Sequence, residues 1–542
     1  MRWVDIIGKP EVKGAILTYV QKSRWYGEKS KSLLKFEIES CFLAQETNTV
    51  LAVLSFRFKD RTSARYQLFL NLVPKQSLSE KNDAGEIEGI ITTFAYGLEM
   101  LVLQDAFQEP RFRRFLFKLI ANSKEVQLDS IQPNSKASVT LKGIQGRKFK
   151  SIAPSNRFSK QSGVLGLEQS NTSLYFGKKG ARKSLFVKFY RKQVEGKNPD
   201  AELSEYLTDE AGFKHSAKFA GEILLTNQSK RPTVVALALG FSPNQSDAWH
   251  LFKSKASDYY SSVHSKKLQS EIPPKDLFSD WSPEKPLLQV IGKETLSMVG
   301  LLGKRTAQMH LALSAAKEKD LIPQKMKESD IHAVLTKTKN LLELELKGLK
   351  TQLPALEPNE ATLAEQVLKA KKELSNGLKL TSKRPLKLVK QRVHGDYHLG
   401  QVLFTGEDFT IIDFEGEPAR PIEERRERYS VCKDLAGMIR SLHYAAYAGI
   451  YQHPTLNEKA KEKSEPFAEA WFFVLARAFL KSYLGHVKGK KLLPKEISEI
   501  SFFLNAYLLD KVMYELAYER NNRPKWLRIP LQGILSLLKA DK

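Results

Sequence analysis

The sequence predicts an α+β protein, with strands concentrated in roughly its first 240 residues and helices in the remainder. Three observations predict it. Runs of β-branched and aromatic residues separated by polar turns occupy 36–42, 50–58 and 66–72. After Asp276 apolar residues recur at spacings of three and four, as in 300–313 and 331–349. One strand-rich island, 386–414, interrupts the helical half.

The chain has 542 residues, 42% hydrophobic and 10% aromatic, enough apolar material for several cores. The first division, 1–130, opens with a helix followed by strands, an α/β module. From 131 to about 162 the composition shifts to Ser, Lys, Asn and Gly with Pro133 and Pro154, which reads as a linker or irregular connection. Strands resume at 174–176 and 185–190 around the turn Gly177-Lys-Lys-Gly180, giving a hairpin. Asn198-Pro-Asp200 signals a helix start, with Asp200 as the cap of 201–208. Apolar strands follow at 221–225 and 233–239. The expected division is therefore 1–130, 131–240 and a mainly helical 241–542.

Composition excludes several classes. Nowhere do 18 apolar residues run together, so no membrane span is expected. The N-terminus lacks an apolar run with a small-residue cleavage site, so no secretion signal is expected. Two cysteines, Cys41 and Cys432, make neither a disulfide framework nor a cysteine metal site, and a reducing cytoplasm is the expected location. The 86 Lys+Arg against 61 Asp+Glu leave a formal charge of +25, and 143–192 carries twelve cations and one acid, Glu168. Such an excess raises nucleic acid as a partner. The aromatics of that segment, however, fall in strand-like apolar runs rather than on a stacking surface, and no zinc-finger, helix-turn-helix or RNA-binding signature occurs. A solvated lysine-rich surface is the reading adopted, with a polyphosphate ligand for part of it as the alternative. No specific nucleic acid and no membrane partner are expected, and the chain is expected to be a monomer or weak dimer.

The chemistry concentrates in the island. Strand 389–393 leads into the loop His394-Gly-Asp-Tyr-His-Leu-Gly-Gln401, then a hairpin of 402–404 and 409–412 closes through Thr405-Gly-Glu-Asp408. The hairpin returns Asp413 to the loop that holds Asp396 and Gln401. Phosphoryl transfer needs a carboxylate to orient the attacking hydroxyl and accept its proton, and oxygen ligands for the magnesium that bridges the nucleotide phosphates. Asp396 suits the first role. Gln401 and Asp413 suit the second, with Glu415 as a third carboxylate. In protein kinases a metal-binding Asn follows the catalytic Asp by five positions and a second Asp opens D-F-G. Here Gln401 follows Asp396 by five, and Asp413-Phe-Glu-Gly416 stands where D-F-G would.

The stretches Arg392-Val-His-Gly-Asp-Tyr-His-Leu-Gly-Gln-Val-Leu403, Ile412-Asp-Phe-Glu-Gly-Glu-Pro-Ala-Arg-Pro421 and Asp434-Leu-Ala-Gly-Met-Ile-Arg-Ser441 resemble the bacterial maltokinases. Supporting segments are Arg24-Trp-Tyr-Gly27, Glu168-Gln-Ser-Asn-Thr-Ser173, Asn198-Pro-Asp200, Pro243-Asn-Gln245, Leu302-Gly-Lys-Arg-Thr-Ala307 and Asn521-Asn-Arg-Pro524, in the family's order along nearly the whole chain. The chain departs from that family in its positive charge and lysine-rich insertions. The resemblance implies a bilobal, protein-kinase-like fold of the aminoglycoside phosphotransferase type, with an N-terminal cap module on the small lobe. It implies ATP and Mg2+ as cofactors and transfer of the γ-phosphate to the anomeric hydroxyl of maltose, giving maltose 1-phosphate within trehalose and glycogen metabolism.

Lys188, in the apolar strand 184–190, resembles in placement the phosphate-binding lysine of kinases, with Glu202 or Glu205 on the next helix to pair with it. No G-x-G-x-x-G loop is present. The resemblance makes Ser170, Asn171, Thr172 and Ser173 the phosphate loop and 235–239 the interlobe hinge. On the helix 502–520, Lys511, Tyr514, Glu515, Tyr518 and Glu519 share one face, and Asn522 follows. Such a stripe suits a sugar, its carboxylates binding hydroxyls and its tyrosines stacking on the ring. Arg420, Gln308 and His310 are secondary candidates, and His398 reads as a loop brace. Two rivals remain: a kinase of the same fold for glucosamine or another small molecule, and a non-catalytic, nucleic-acid-binding relative.

Overall fold

The computed structural model describes residues 2–77, 89–133, 135–166, 171–181, 183–227, 230–274, 276–379, 388–418 and 420–538, side chains 156 and 230 excepted. The chain forms two compact units, Met1–Glu210 with Ala217–Pro243, and Ala211–Ser216 with Asn244–Lys542.

In the first unit, twelve strands of the described residues form one sheet. They are β1 Leu33–Ala44, β2 Thr49–Phe58, β3 Ser63–Pro74, β4 Ile90–Tyr96, β5 Glu99–Asp105, β6 Glu125–Ser130, β7 Ser138–Gln145, β8 Ser162–Leu165, β9 Thr172–Gly177, β10 Ser184–Phe189, β11 Phe219–Asn227 and β12 Lys230–Gly240. Their order across the sheet is β4-β5-β3-β2-β1-β6-β7-β11-β12-β10-β9-β8. Alternation assigns the faces. On β2, Val50, Ala52 and Leu54 pack with Ile6, Ile16 and Val20 of the N-terminal helices Trp3–Ile7 and Pro10–Lys22, while Leu51 and Val53 join Phe107, Phe112 and Leu116 on the other side. Buried on both faces, β2 is apolar almost throughout.

The expected linker at 131–162 is corrected here. β7 lies mid-sheet, between β6 and β11. Its Val139 and Leu141 are buried while Ser138, Thr140 and Lys142 are partly exposed, so the polar half of an alternating strand dominated the composition. Gly143 on that strand is required: a Cβ there would stand 2.0 Å from the Leu119 carbonyl oxygen of helix Pro110–Ala121. Sequence reading also passed over the β4–β5 hairpin. Helix Pro199–Glu205 is capped by Asn198, whose side chain accepts from the Asp200 amide, rather than by Asp200. The expected hinge, 235–239, lies inside β12, and the chain leaves the first unit after Pro243.

The second unit is mainly helical: Ala248–Ser265, Lys293–Ser314, Glu328–Gln352, Cys432–Tyr451, Glu458–Val487 and Ile497–Asn522 are its long helices. Its helices begin earlier than Asp276, with Ala248–Ser265, which Asp247 caps by accepting from the His250 amide at 2.8 Å. Helix Cys432–Tyr451 is buried over most of its length and packs on Ala248–Ser265, Glu458–Val487 and Ile497–Asn522. The island forms the expected hairpin, with Val402 opposite Ile411 and Phe404 opposite Phe409. The strand before it is shorter than 389–393: Val389–Lys390 pairs with Gln324–Lys325, and Gln391 adds a single bridge to Tyr429. Among the described residues no helix is long and apolar enough to cross a membrane.

Candidate active site

The loop carrying Asp396 is hung on one buried carboxylate. Asp434, in the first turn of helix Cys432–Tyr451, accepts from the His394 amide at 2.8 Å and the Gly395 amide at 2.9 Å. It also takes the Nε2 hydrogen of His310 at 3.0 Å, whose Nδ1 faces Tyr483 Oη at 2.9 Å. Burial opposes the charge on Asp434, and His310, His394 and the Gly395 amide outweigh it, holding its carboxyl below the ordinary range. His394 Nε2 donates to the Ile412 carbonyl at 2.8 Å, tying the loop to the residue before Asp413. Gly395 has φ +88°, and a Cβ there would meet Gly416 Cα at 3.4 Å, so the two loops touch where both are glycine. His398 accepts from the Gly400 amide at 3.1 Å, the bracing role expected of it.

Within this frame Asp396 Oδ1 lies 3.2 Å from Lys511 Nζ, which also stands 3.2 Å from Glu417 Oε1. Burial opposes ionisation of Asp396, yet Lys511, His398 and His394 hold its carboxyl down at about 2. Despite burial, Asp396, Glu417 and Glu515 keep the Lys511 ammonium well above its usual range. The stripe helix Ile497–Asn522 thus delivers a cation to the carboxylate that sequence reasoning made catalytic.

Gln401 Nε2 donates to Asp413 Oδ2 at 2.8 Å. Asp413 has φ +65°, a left-handed conformation rare outside glycine that costs on the order of 1 kcal/mol or more. Glu415 is engaged by Arg425, whose Nη1 lies 3.2 Å from its Oε1. Among the described residues no three His, Cys, Asp or Glu side chains form a metal cage. That donor set fits Mg2+, which is commonly held by one or two carboxylates together with substrate phosphates and water. Rotating the Gln401 amide would present its oxygen beside the Asp413 carboxylate.

Of the remaining stripe, Tyr514 lies under the Lys511 ammonium, 5.1 Å from ring centroid to Nζ. Glu515 accepts from Arg440 Nε at 2.8 Å. Tyr518 is exposed, with the Arg523 guanidinium 5.1 Å from its ring and the same distance from that of Trp526. Tyr444 stacks on Trp526 and donates to Glu519 at 3.2 Å. Asn522 Nδ2 donates to the Tyr518 carbonyl at 2.8 Å. Arg420 is engaged by Glu417 and Glu424, and Gln308 accepts from Arg305 at 2.8 Å. His310 is a core residue, as its burial and partners show. A separate cavity of about 240 Å³ between Pro273, Arg440, Phe472 and Gly533 is lined by neither Asp396, Gln401 nor Asp413.

In the first unit, Lys188 is buried on β10, 3.3 Å from Asp200 Oδ2, to which Tyr190 Oη also donates at 3.2 Å. Asp200, read from sequence as a cap, is thus a buried partner of Lys188. Glu202, expected to pair with Lys188, follows Asp200 by two residues and lies 4.0 Å from Lys197. Ser173 sits directly across from Lys188 in the β9–β10 ladder, and Ser173 and Asn171 are buried. Thr172 accepts from Arg191 Nε at 2.8 Å. Ser170 lies outside the described residues. Sequence reasoning missed Asp434 and Asp200 as positioning groups; both lay within quoted motifs, but their partners are set by folding.

No family model matches the chain. The glucosamine kinase of Mycolicibacterium smegmatis is 30% identical over 145 residues, 27% of this chain and 34% of that protein. That of Streptacidiphilus jiangxiensis is 25% identical over 149 residues, 27% and 31%. The match thus spans about a third of the length of these curated relatives. A solved glucosamine kinase (crystal form B) superposes with a TM-score of 0.60 at 18% identity, covering 99% of both chains. The chain has a bilobal, protein-kinase-like α+β fold. The glucosamine kinase solved with glucosamine, ADP and inorganic phosphate agrees over 96% of this chain and 98% of its own, with a TM-score of 0.57 at 16% identity.

Proposed function

We propose that the protein is an ATP-dependent sugar kinase in which Asp396 is the catalytic residue. The observation that carries this reading is the pairing, on two touching loops, of a lysine-bound carboxylate with the Gln401–Asp413 pair. Gln401 and Asp413 would hold Mg2+, which when bound neutralises charge on the nucleotide phosphates. Lys188, buried 3.3 Å from the Asp200 carboxylate in the first unit, is the cation assigned to the nucleotide. Asp396 orients the acceptor hydroxyl. Held at about 2, it is too weak a base to remove the proton early, so the proton passes to it as the new O–P bond forms and the bond between the β–γ bridging oxygen and the γ-phosphorus breaks, releasing ADP.

For the acceptor we infer a neutral sugar, with maltose first. Lys511 already places an ammonium against Asp396, where a second cation would be repelled. The run from Lys511 to Tyr518 also spans about 10 Å of helix, longer than a single hexose ring. The reading in favour of glucosamine rests on the two curated relatives. ADP release with Mg-ATP and separate maltose, glucose, glucosamine and trehalose decides between them, with the phosphorylated position read by NMR. Maltose-dependent release with phosphate on the anomeric carbon is expected. Turnover with glucosamine alone would replace the acceptor, and silence with every sugar would remove the sugar-kinase reading.

The metal assignment predicts that Asp413→Asn raises the Mg2+ concentration for half-maximal activity by about tenfold or more. Mn2+ binding followed by electron paramagnetic resonance gives a readout independent of turnover. Unchanged Mn2+ affinity would place the metal elsewhere.

A further inference from the structure

The strand that carries Lys188 runs into residues of the N-terminal 130, and the junction is made by a buried arginine. Arg191, 3% exposed, lies two positions beyond the end of β10. Its Nη2 pairs with Asp105 Oδ2, its Nε donates to Thr172 Oγ1 at 2.8 Å, and its guanidinium lies 5.0 Å from the Trp25 ring and 4.6 Å from that of Phe107. Tyr19 Oη donates to the same Asp105 oxygen at 3.1 Å. The backbone repeats the junction: Gln67 N donates to the Arg191 carbonyl at 2.8 Å, and Gln67 Nε2 to that of Tyr190 at 2.6 Å. Lys192 Nζ, one residue on, reaches Glu28 at 2.7 Å.

Trp25, Glu28, Gln67, Asp105 and Phe107 all precede residue 131, and together they grip the end of the Lys188 strand. Thr172, the other group held by Arg191, opens β9, and its neighbour Ser173 stands across from Lys188. Side chains alternate along a strand, so Thr172 and Phe189 point to one face and Ser173 and Lys188 to the other. Arg191 therefore acts from behind the Lys188 face. A buried guanidinium is costly unless paired and hydrogen-bonded, and here Nη1 has no hydrogen-bond partner among the described residues. An apolar side chain of similar volume would avoid that cost, but it could not join Asp105 to Thr172.

We propose that Arg191 is a positioning residue for the nucleotide, through which the N-terminal module fixes the β9–β10 hairpin and hence Lys188 and Ser173. The inference rests on the kinase reading above. Its test is the affinity for a fluorescent ATP analogue, measured without any sugar, in the full-length protein and in Arg191→Lys, Asp105→Asn and Trp25→Leu. The last two change groups that hold Arg191 from the module and touch none of the groups assigned to the nucleotide. Each folded variant is expected to bind the analogue about tenfold more weakly and to raise KM for ATP in proportion, with the sugar KM unchanged. Should Arg191→Lys fail to fold, as judged by circular dichroism, Trp25→Leu and Asp105→Asn decide. Wild-type affinity in the folded variants overturns the inference while leaving the kinase reading in place. Failure of the wild type to bind the analogue removes both.

Discussion

Asp396→Asn lowers kcat by about a thousandfold, while the protein stays folded. Asparagine keeps the shape and still offers an oxygen to Lys511, but it can neither take the hydroxyl proton nor balance the ammonium. The frame of the loop does not depend on it, because His394 and Gly395 are held by Asp434 and Gln401 by Asp413. The stability effect follows from linkage. Held at about 2, the Asp396 carboxyl stabilises the fold at every pH above its ordinary value, and that contribution fades as pH falls towards 2. It amounts to about 2 kcal/mol at neutral pH. Urea melts of wild type and variant should therefore differ by about that amount at pH 7 and converge as pH approaches 2. Near-normal kcat in Asp396→Asn would displace Asp396 from the chemistry. Loss of the folded signal at pH 7 would show that Lys511 depends on Asp396 for more than charge balance.

The site was legible where its parts are close in sequence. Asp396 and Gln401 share one loop, and a short hairpin returns Asp413 to it, so spacing alone brings three groups together. The groups that set their properties were not legible. Lys511 is 115 residues from Asp396, Asp434 about 40 from the loop it carries, and Asp105 is 86 from Arg191. The stripe on helix Ile497–Asn522 was correct as a periodicity, but periodicity does not tell which face meets which loop. Lys511, read as a sugar ligand, stands 3.2 Å from the Asp396 carboxylate. The same limit hid β7, whose exposed polar positions outweighed Val139 and Leu141 in composition. Its place in the middle of a sheet depends on β6 and on β11, some eighty residues later. Asp200 shows a finer version of it. Its sequence context is that of a helix start, which is where it lies, but Asn198 does the capping and leaves the Asp200 carboxylate for Lys188.

Asp434→Ala is the substitution expected to damage both stability and activity. Its carboxylate is fully buried and is the acceptor for two amides of the Asp396 loop and for His310. Removing it leaves those donors in the interior without an acceptor, and also opens a space at the start of helix Cys432–Tyr451. Loss of one partner from such a buried network costs about 3–5 kcal/mol. The pH dependence has a definite sign. Because the folded-state carboxyl is held below its ordinary range, Asp434 stabilises the protein above that range, and its contribution is lost as pH falls through the lowered value. The variant should therefore show a lower urea midpoint at pH 7 and a weaker loss of stability on acidification than the wild type. Its kcat should fall with Asp396 still present, since Gly395 is no longer pinned against Gly416. The contrast with Asp396→Asn isolates the two roles: one removes, from an intact loop, the carboxylate proposed to take the proton, the other removes the loop's anchor. If Asp434→Ala kept the wild-type midpoint and kcat together, the loop would have to be positioned by His394 and Ile412 alone, and the arrangement described for Asp434 would carry no energy.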